Sequence, residues 1–252
     1  ITDGSDPNTA GLVSGYVRGA WQSWQAQREL GGTGHAAAQI TVLPRIWFNP
    51  ELESRRYLVP GSIALIQMMI GSLLTALVVS REWERGTIEA LLATPVGIVE
   101  FIIGKLVPNF LLGMGAMAVC VLAALFVLDI PLRGSLLALF GFTAVFLLVA
   151  LSLGLLISTV ARTQFVASQM AMLVAFLPGL YFSGFMFEIA SMPLPLRLFA
   201  KIVPANYYVR GLQTIFLAGD IRSVLLPCTA VLLLMSVVLF ALTARNTKQR
   251  LD

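Results

Sequence analysis

The chain has 252 residues, a net charge of +4 and a mean hydropathy of +0.85; 58% of its residues are hydrophobic and only 12% are charged. An ordinary soluble domain carries about 25% charge, so a water-soluble fold is excluded. The seventeen Lys and Arg form no compact basic patch with interleaved aromatics, which excludes a nucleic-acid surface.

Residues 1–56 form a polar opening segment. Asp6-Pro7 is a helix start, with Asp as N-cap and Pro at the first helical position. That helix is expected to run to about Leu30, where Gly31-Gly32 ends it. Ile40–Trp47, rich in β-branched and aromatic residues, reads as a strand, and Pro44 places it at an edge. Asp3, Asp6 and Asn8 lack the spacing of a calcium loop and suit turns and caps. His35 stands alone, and no metal site is expected. One helix and one strand cannot enclose a core, so the segment reads as half of a small α/β domain. The chain opens at Ile1 without Met, and the expectation is of a fragment whose upstream part carries a further membrane helix.

Five charge-free runs follow: Tyr57–Ser80, Leu106–Leu128, Gly134–Ala161, Thr163–Phe187 and Ser223–Ala244, each of 22 to 28 residues. At about 1.5 Å rise per residue, each can cross a hydrocarbon core of roughly 30 Å. The fold class is therefore a mainly α-helical membrane protein with five transmembrane helices, plus part of the α/β domain. The first helix is expected from Leu58 to Ser80, the second from Val99 to Leu128 and the third from Ser135 to Val160. The fourth starts at Phe165 and is expected to be interrupted at Pro178-Gly179. The fifth covers Val224–Ala244. Between the fourth and fifth, two amphipathic pieces, Leu194–Ile202 and Tyr207–Leu217, are too short and too charged to span. They fit interfacial or partly re-entrant helices. Cys120 and Cys228 fall inside apolar runs and read as packed thiols rather than a disulfide framework.

Between the first two runs lies SREWERGTIEALLATP, Ser80–Pro95, with Arg81, Glu82, Glu84, Arg85 and Glu89 inside nine positions. A charged, helix-prone segment between two spans must lie at a membrane face. Gly86 is expected to end the extended first helix, and Thr87 to cap a short helix through Thr94. Ile88, Leu91 and Leu92 share one face of that helix, and Trp83 stands within the polar run. Both features suit a surface that a partner covers. Lys105, one or two turns into the second helix, can snorkel to the interface. Basic residues near the two faces number seven on each side, so charge counting leaves the orientation open. The odd number of spans puts residues 1–56 and the C-terminus on opposite sides.

None of the five runs contains an ionisable acid or base. Ion-coupled carriers need such a group to carry the ion. Intramembrane proteases and transferases need a nucleophile, a base or metal ligands. Beyond Ser and Thr, the runs offer Asn109, Gln67 and Gln169 as polar side chains. Gly104-Lys105 lacks the spacing of a phosphate loop. Any energy must therefore enter from a partner, and the charged segment is the natural port.

At this point the sequence resembles a family. SREWERGTIEALLATP with the following GKLVP looks like the coupling helix of ABC-2 type transporter permeases. NPELESRRYLVPG, LLISTVARTQ, FSGFMFEIASMP and VPANYYVRGLQTIFLAGD extend the resemblance over nearly the whole chain. It most resembles the bacterial branch with an extracytoplasmic domain inserted between its first two membrane helices. The resemblance implies six membrane helices in the full subunit, with residues 1–56 as the rear part of the extracytoplasmic domain and 57–252 as the transmembrane domain. Within the latter, 80–97 is the cytoplasmic coupling segment and 188–222 holds short external helices. Arg81, Glu82, Trp83, Glu84, Arg85, Gly86, Thr87, Glu89, Leu91, Leu92 and Pro95 would couple to an ATP-binding partner. Pro178, Gly184, Pro193, Pro204 and Tyr207 would belong to an external gate. ATP and magnesium would sit in that partner, with no cofactor or metal in this chain and no enzymatic activity of its own. A second permease subunit, identical or not, would complete the path. The location implied is a bacterial inner membrane, surrounded by lipid, with residues 1–56 outside and the C-terminus in the cytoplasm.

The reading is a permease subunit of an ATP-driven exporter of amphiphilic, drug-like or lipid-linked compounds. The alternative from another class is a membrane anchor that recruits an ATPase without transporting anything.

Overall fold

The computed structural model describes residues 2–3, 7–30, 46–47, 54–86, 98–161, 163–187 and 189–248. The chain divides into two units, Ile1–Leu58 and Val59–Asp252. In the first, helix α1 (Pro7–Leu30) starts at the expected proline, and Trp21 stacks on Trp24 with ring centroids 4.9 Å apart. Strands β1 (Thr2–Asp3) and β2 (Ile46–Trp47) pair in parallel, Thr2 opposite Ile46 and Asp3 opposite Trp47. Of the strand expected over Ile40–Trp47, Ile46–Trp47 is present, and residues 40–45 lie outside the described residues. The described chain is nearly all helical, and two two-residue strands do not amount to the expected α/β domain.

The second unit is built on helices α2 (Ser54–Glu84), α3 (Ile98–Phe126), α4 (Leu136–Ala161), α5 (Gln164–Phe182), α6 (Leu194–Ala200), α7 (Pro204–Leu217) and α8 (Arg222–Lys248). Five of them, α2, α3, α4, α5 and α8, are long and apolar enough to cross a membrane. Helix α2 does not stop at Ser80. It runs on through the first charged residues and ends where Gly86 takes φ of +67°, its N–H donating to Trp83 O at 3.2 Å. A residue with a Cβ is strained there, so the glycine sets the stop.

Helix α5 corrects one expectation. Pro178 and Gly179 do not interrupt it. Its middle, Ala171–Phe176, winds instead as a π-helix, with Leu177 N–H reaching back to Met172 O. A proline in a regular helix clashes with the carbonyl four residues earlier. The wider turn just before Pro178 gives that ring room, and the helix carries on to Phe182. The short helix expected over Thr87–Thr94 lies outside the described residues.

Helix α4 is the centre of the unit. It packs against α3, α5, α7 and α8. Its apolar residues run all round, as in other membrane spans. It also meets α2 at very close range. A Cβ on Gly154 would lie 2.4 Å from Ser72 O and 2.9 Å from Thr75 Cβ, and one on Gly71 would lie 2.6 Å from Ala150 Cβ. Small residues let two backbones approach closely in lipid, where dispersion rather than water exclusion drives association. Above that seam the core is larger: Tyr208 and Leu212 of α7 pack with Phe142, Phe146 and Leu139 of α4 and Met117 of α3.

The seam makes a prediction. Gly154→Val must push α2 away from α4, a cost of about 1–3 kcal/mol or more. The measurement is the thermal unfolding midpoint of the detergent-solubilised chain, which should fall. Gly141→Ala, where a Cβ meets nothing within 4 Å, should leave the midpoint unchanged or raised.

Candidate functional site

The charged end of α2 is tied to two other spans. Arg81 and Arg85 are exposed and sit one turn apart, and Trp83 is half-buried. Glu82 accepts from Lys105 at the start of α3, Nζ to Oε1 2.7 Å, with both side chains about a quarter to a third exposed, at 24% and 31%. Glu84 accepts from the first residue of α5 twice: Gln164 N to Glu84 Oε2 at 3.1 Å and Gln164 Nε2 to the same oxygen at 3.3 Å. A carboxylate on the opening turn of a helix satisfies an orphan N–H and suits the helix dipole. Thr163 adds its own cap, accepting from Val166 N at 3.4 Å. The two glutamates therefore fasten α2 to α3 and α5 at one membrane face.

Two further polar links join α2 to α3 inside the bundle. Asn109 Nδ2 donates to Thr75 Oγ1 at 3.3 Å. Gln67 is fully buried. With its amide oriented to satisfy both partners, Gln67 donates to Gly113 O at 3.2 Å and accepts from Met117 N at 2.9 Å. Going up α2, the partners step down α3, so Glu82–Lys105, Thr75–Asn109 and Gln67–Gly113 are rungs of one antiparallel pair. Buried amides in such a place need partners, since an unpaired polar group in an apolar medium costs several kcal/mol.

The opposite end has its own clasp. Arg133 N and Gly134 N donate to Phe216 O and Ile215 O at 3.3 and 2.9 Å. Arg133 also donates to Leu217 O through its guanidinium at 3.1 Å, and Ser135 N donates to both carboxylate oxygens of Asp220 at 3.0 and 3.1 Å. The loop into α4 is thus bound to the end of α7. Deeper along α7, Tyr208 is fully buried, stacked on Phe146 with centroids 3.7 Å apart, and its hydroxyl lies 3.0 Å from Thr143 Oγ1.

The expected gate residues sit around this end without converging on one point. Pro178 is half-buried in α5, Gly184 takes φ of +82° just beyond it, and Pro193 precedes α6. Pro204 opens α7 and is buried; the Tyr207 hydroxyl donates to Lys201 O at 2.9 Å. Of the coupling residues, Arg81 to Gly86 are placed as described, while Thr87, Glu89, Leu91, Leu92 and Pro95 lie outside the described residues. Sequence reasoning put Lys105 and Gln164 on the side of the charged segment but did not pair them with Glu82 and Glu84, and it assigned no role to Tyr208 or Asp220. Among the described residues no group of His, Cys, Asp or Glu could hold a metal ion.

The geometry defines a class: a multispan helical membrane protein whose polar groups, among the described residues, join helices. The chain belongs to the ABC-2 family of transporter proteins. The model of that family, described as ABC-2 family transporter protein, matches residues 1–245. Over all 252 residues the chain is 49% identical to the protein named "Probable multidrug ABC transporter permease YbhS" of Escherichia coli (strain K12), covering 67% of it. It is 30% identical over 218 residues to "Probable multidrug ABC transporter permease YbhR" of the same strain, which is 86% of this chain and 58% of that one. It is also 28% identical over 179 residues to "ABC transporter G family member 20" of Dictyostelium discoideum, 71% of this chain and 24% of that one. The chain thus spans about two thirds or less of the length of these relatives. No solved structure is significantly similar to it.

Two stability measurements test the links. In a double-mutant cycle, Glu82→Gln and Lys105→Met should couple by about 1 kcal/mol, the scale of a partly screened pair. Tyr208→Phe keeps the stack and loses the hydroxyl contact, costing about 1 kcal/mol, whereas Tyr208→Ala empties the site and costs about 3–5 kcal/mol. Denaturant titration in mixed micelles reads both.

Proposed function

We propose that this chain is the permease portion of an ATP-binding cassette exporter in a bacterial inner membrane, moving an amphiphilic, drug-like or lipid-linked substrate. The observation that carries the reading is the charged end of α2, whose glutamates hold α3 and α5 while its arginines face outward. Arg81 and Arg85, with Trp83 and the following Thr87, Glu89, Leu91, Leu92 and Pro95, dock a separate ATPase. Glu82 and Glu84 carry its motion into the bundle. A docked partner that shifts the end of α2 also drags the starts of α3 and α5, because each is tied to α2 by a charge-assisted hydrogen bond.

The charge-free spans support the same reading. Without an intramembrane acid or base there is no site for a coupling ion, so work enters through a partner that binds ATP and magnesium. Membership of the ABC-2 family supports a transport role, and the printed names of the two Escherichia coli relatives support multidrug compounds as substrate class. In this arrangement the charged segment and the C-terminus face the cytoplasm. Residues 1–56 belong to an extracytoplasmic domain inserted in the full subunit. Two permease subunits enclose one path, and Pro178, Gly184, Pro193, Pro204 and Tyr207 border its outer end. ATP binding closes the ATPase pair and rocks the spans.

The test uses the full-length protein purified with its partners from native cells. Arg81→Glu with Arg85→Glu should cut the recovery of an ATP-binding cassette protein at least about tenfold, as expected when two charges at a docking surface are reversed. Glu82→Gln with Glu84→Gln should leave recovery intact and lower substrate-stimulated ATP hydrolysis in vesicles. Equal recovery with the reversed arginines would sink the docking assignment. ATPase recovery without any substrate stimulation would favour the non-transporting anchor.

A further inference from the structure

Helix α7 brings one cation below the edge of the apolar layer. Its last residues are clasped to the loop before α4, and it packs against α4, α5 and α8. A Cβ on Gly211 would collide with the Phe142 ring, and Phe142 stands six residues into the span that begins at Leu136. The neighbouring Arg210 lies close enough to Cys228 for its charge to act on that thiol, and Cys228 stands six residues into the span that begins at Arg222. Six residues rise about 9 Å. Spans of 26 and 24 residues overhang a hydrocarbon core of roughly 30 Å by about 3–5 Å at each end. Arg210 therefore joins the bundle inside the apolar layer, near its edge opposite the charged segment.

The open face of α7 is polar. Asn206, Tyr207, Gln213 and Thr214 are half-buried along one side of the helix, and Arg210 in their midst is exposed, while the side with Tyr208 and Leu212 is buried. The spans show the reverse: Leu226, Leu234 and Val237 of α8 are each about two thirds exposed. Such residues suit acyl chains, and the row of α7 does not. Three of its five polar side chains donate within the protein: Asn206 to Ala200 O at 3.2 Å, Tyr207 to Lys201 O at 2.9 Å and Thr214 to Arg210 O at 2.7 Å. The other two differ. Among the described residues no hydrogen bond or ion pair engages the Arg210 guanidinium, and Gln213 Nε2 is buried without an acceptor. Neither α7 nor the helices packed on it, α4, α5 and α8, contain an Asp or Glu. Of the acids nearest in sequence, Asp220 accepts from Ser135 N, and Glu188 lies outside the described residues.

An arginine at this depth faces a polar route or an anion. Its guanidinium is a planar fork of donors matched to carboxylate and phosphate. We propose that the polar row of α7 is a binding site for the anionic group of an amphiphile, a carboxylate or phosphate whose oxygens accept from Arg210. The Gln213 amide, one turn further along the row and without an acceptor of its own, turns to the same group as second donor. The apolar remainder of the ligand stays in the surrounding layer. The site deepens the exporter reading and rests on it: the compound moved carries a negative charge at one end.

The experiment uses the full-length subunit in phosphatidylcholine nanodiscs, without ATP or a partner. The probes are a dansyl-labelled undecanoic acid and its methyl ester, alike in length and different in charge. Binding is read from dansyl emission after subtraction of empty discs. The acid should bind at least about tenfold more tightly than the ester, the scale of a hydrogen bond to a charged group. Arg210→Gln should remove that difference and Arg210→Lys should keep most of it. Gln213→Leu should reduce it about threefold, and the ester should bind all variants alike. Arg245→Gln, on the far end of α8, should change nothing. Arg210 is exposed, so the unfolding midpoint of Arg210→Gln should match the parent. Three results would overturn the site. They are equal binding of acid and ester by the parent, an acid preference that survives Arg210→Gln, and loss of the preference when phosphatidylglycerol is added to the disc, the sign that Arg210 holds an ordinary lipid headgroup. None of these touches the exporter reading, which is tested separately by ATP-driven export of the acid by the complete complex.

Discussion

The bundle depends on the close approach of α4 to α2. Gly154 and Gly71 bring the two backbones together so tightly that an added methyl group would meet a carbonyl oxygen or another methyl. In lipid the apolar surface of a helix gains little from merely leaving its solvent, so association relies on shape. That constraint makes α4 the hub. Once its seam with α2 is fixed, α3, α5, α7 and α8 find their places on its remaining faces. Larger side chains take over away from the seam, where Phe142, Phe146 and Tyr208 fill the space between α4 and α7.

Polar groups are placed where this packing cannot specify register. Helices α2 and α3 are joined by Glu82–Lys105 at the face and by Thr75–Asn109 and Gln67 within. Glu84 fixes the start of α5, and Asp220 fixes the start of α4. Among the described residues, the charged contacts named above stand at the two ends, where water or headgroups ease the cost of ionisation, and neutral amides and hydroxyls serve in between. A partner that presses on the end of α2 meets a set of helices already bound together at that face. Such a face is compatible with the docking proposed for this member of the ABC-2 family.

Several parts of the site were legible and others were not. The stop at Gly86, the start of α1 at Pro7 and the five spans follow from local chemistry. The charged segment also announced itself by contrast with its neighbours. The bundle contacts of that segment did not. Glu82 and Glu84 read as docking charges beside Arg81 and Arg85, yet their partners lie 23 and 80 residues away in the chain. Only folding decides which of several exposed charges meets Lys105 or the opening turn of α5. Pro178 misled for a related reason. A proline signals a disturbed helix, but whether the chain breaks or widens into a π turn depends on what its two halves are packed against, and here both halves of α5 are held.

By itself the sequence determined the membrane class, the number and order of spans and the presence of a charged segment between the first two. Those properties depend on runs of apolar residues and on isolated glycines and prolines, which act locally. Tertiary structure decided which helix is central, that Glu82 and Glu84 bind the bundle, and that the piece around Tyr208 packs inward while Leu194, Leu198 and Ile202 stay uncovered. Hydropathy does not single out the hub, since α4 and α8 share the highest value, 2.6. The ranking comes from shape, above all from where two glycines let two backbones touch.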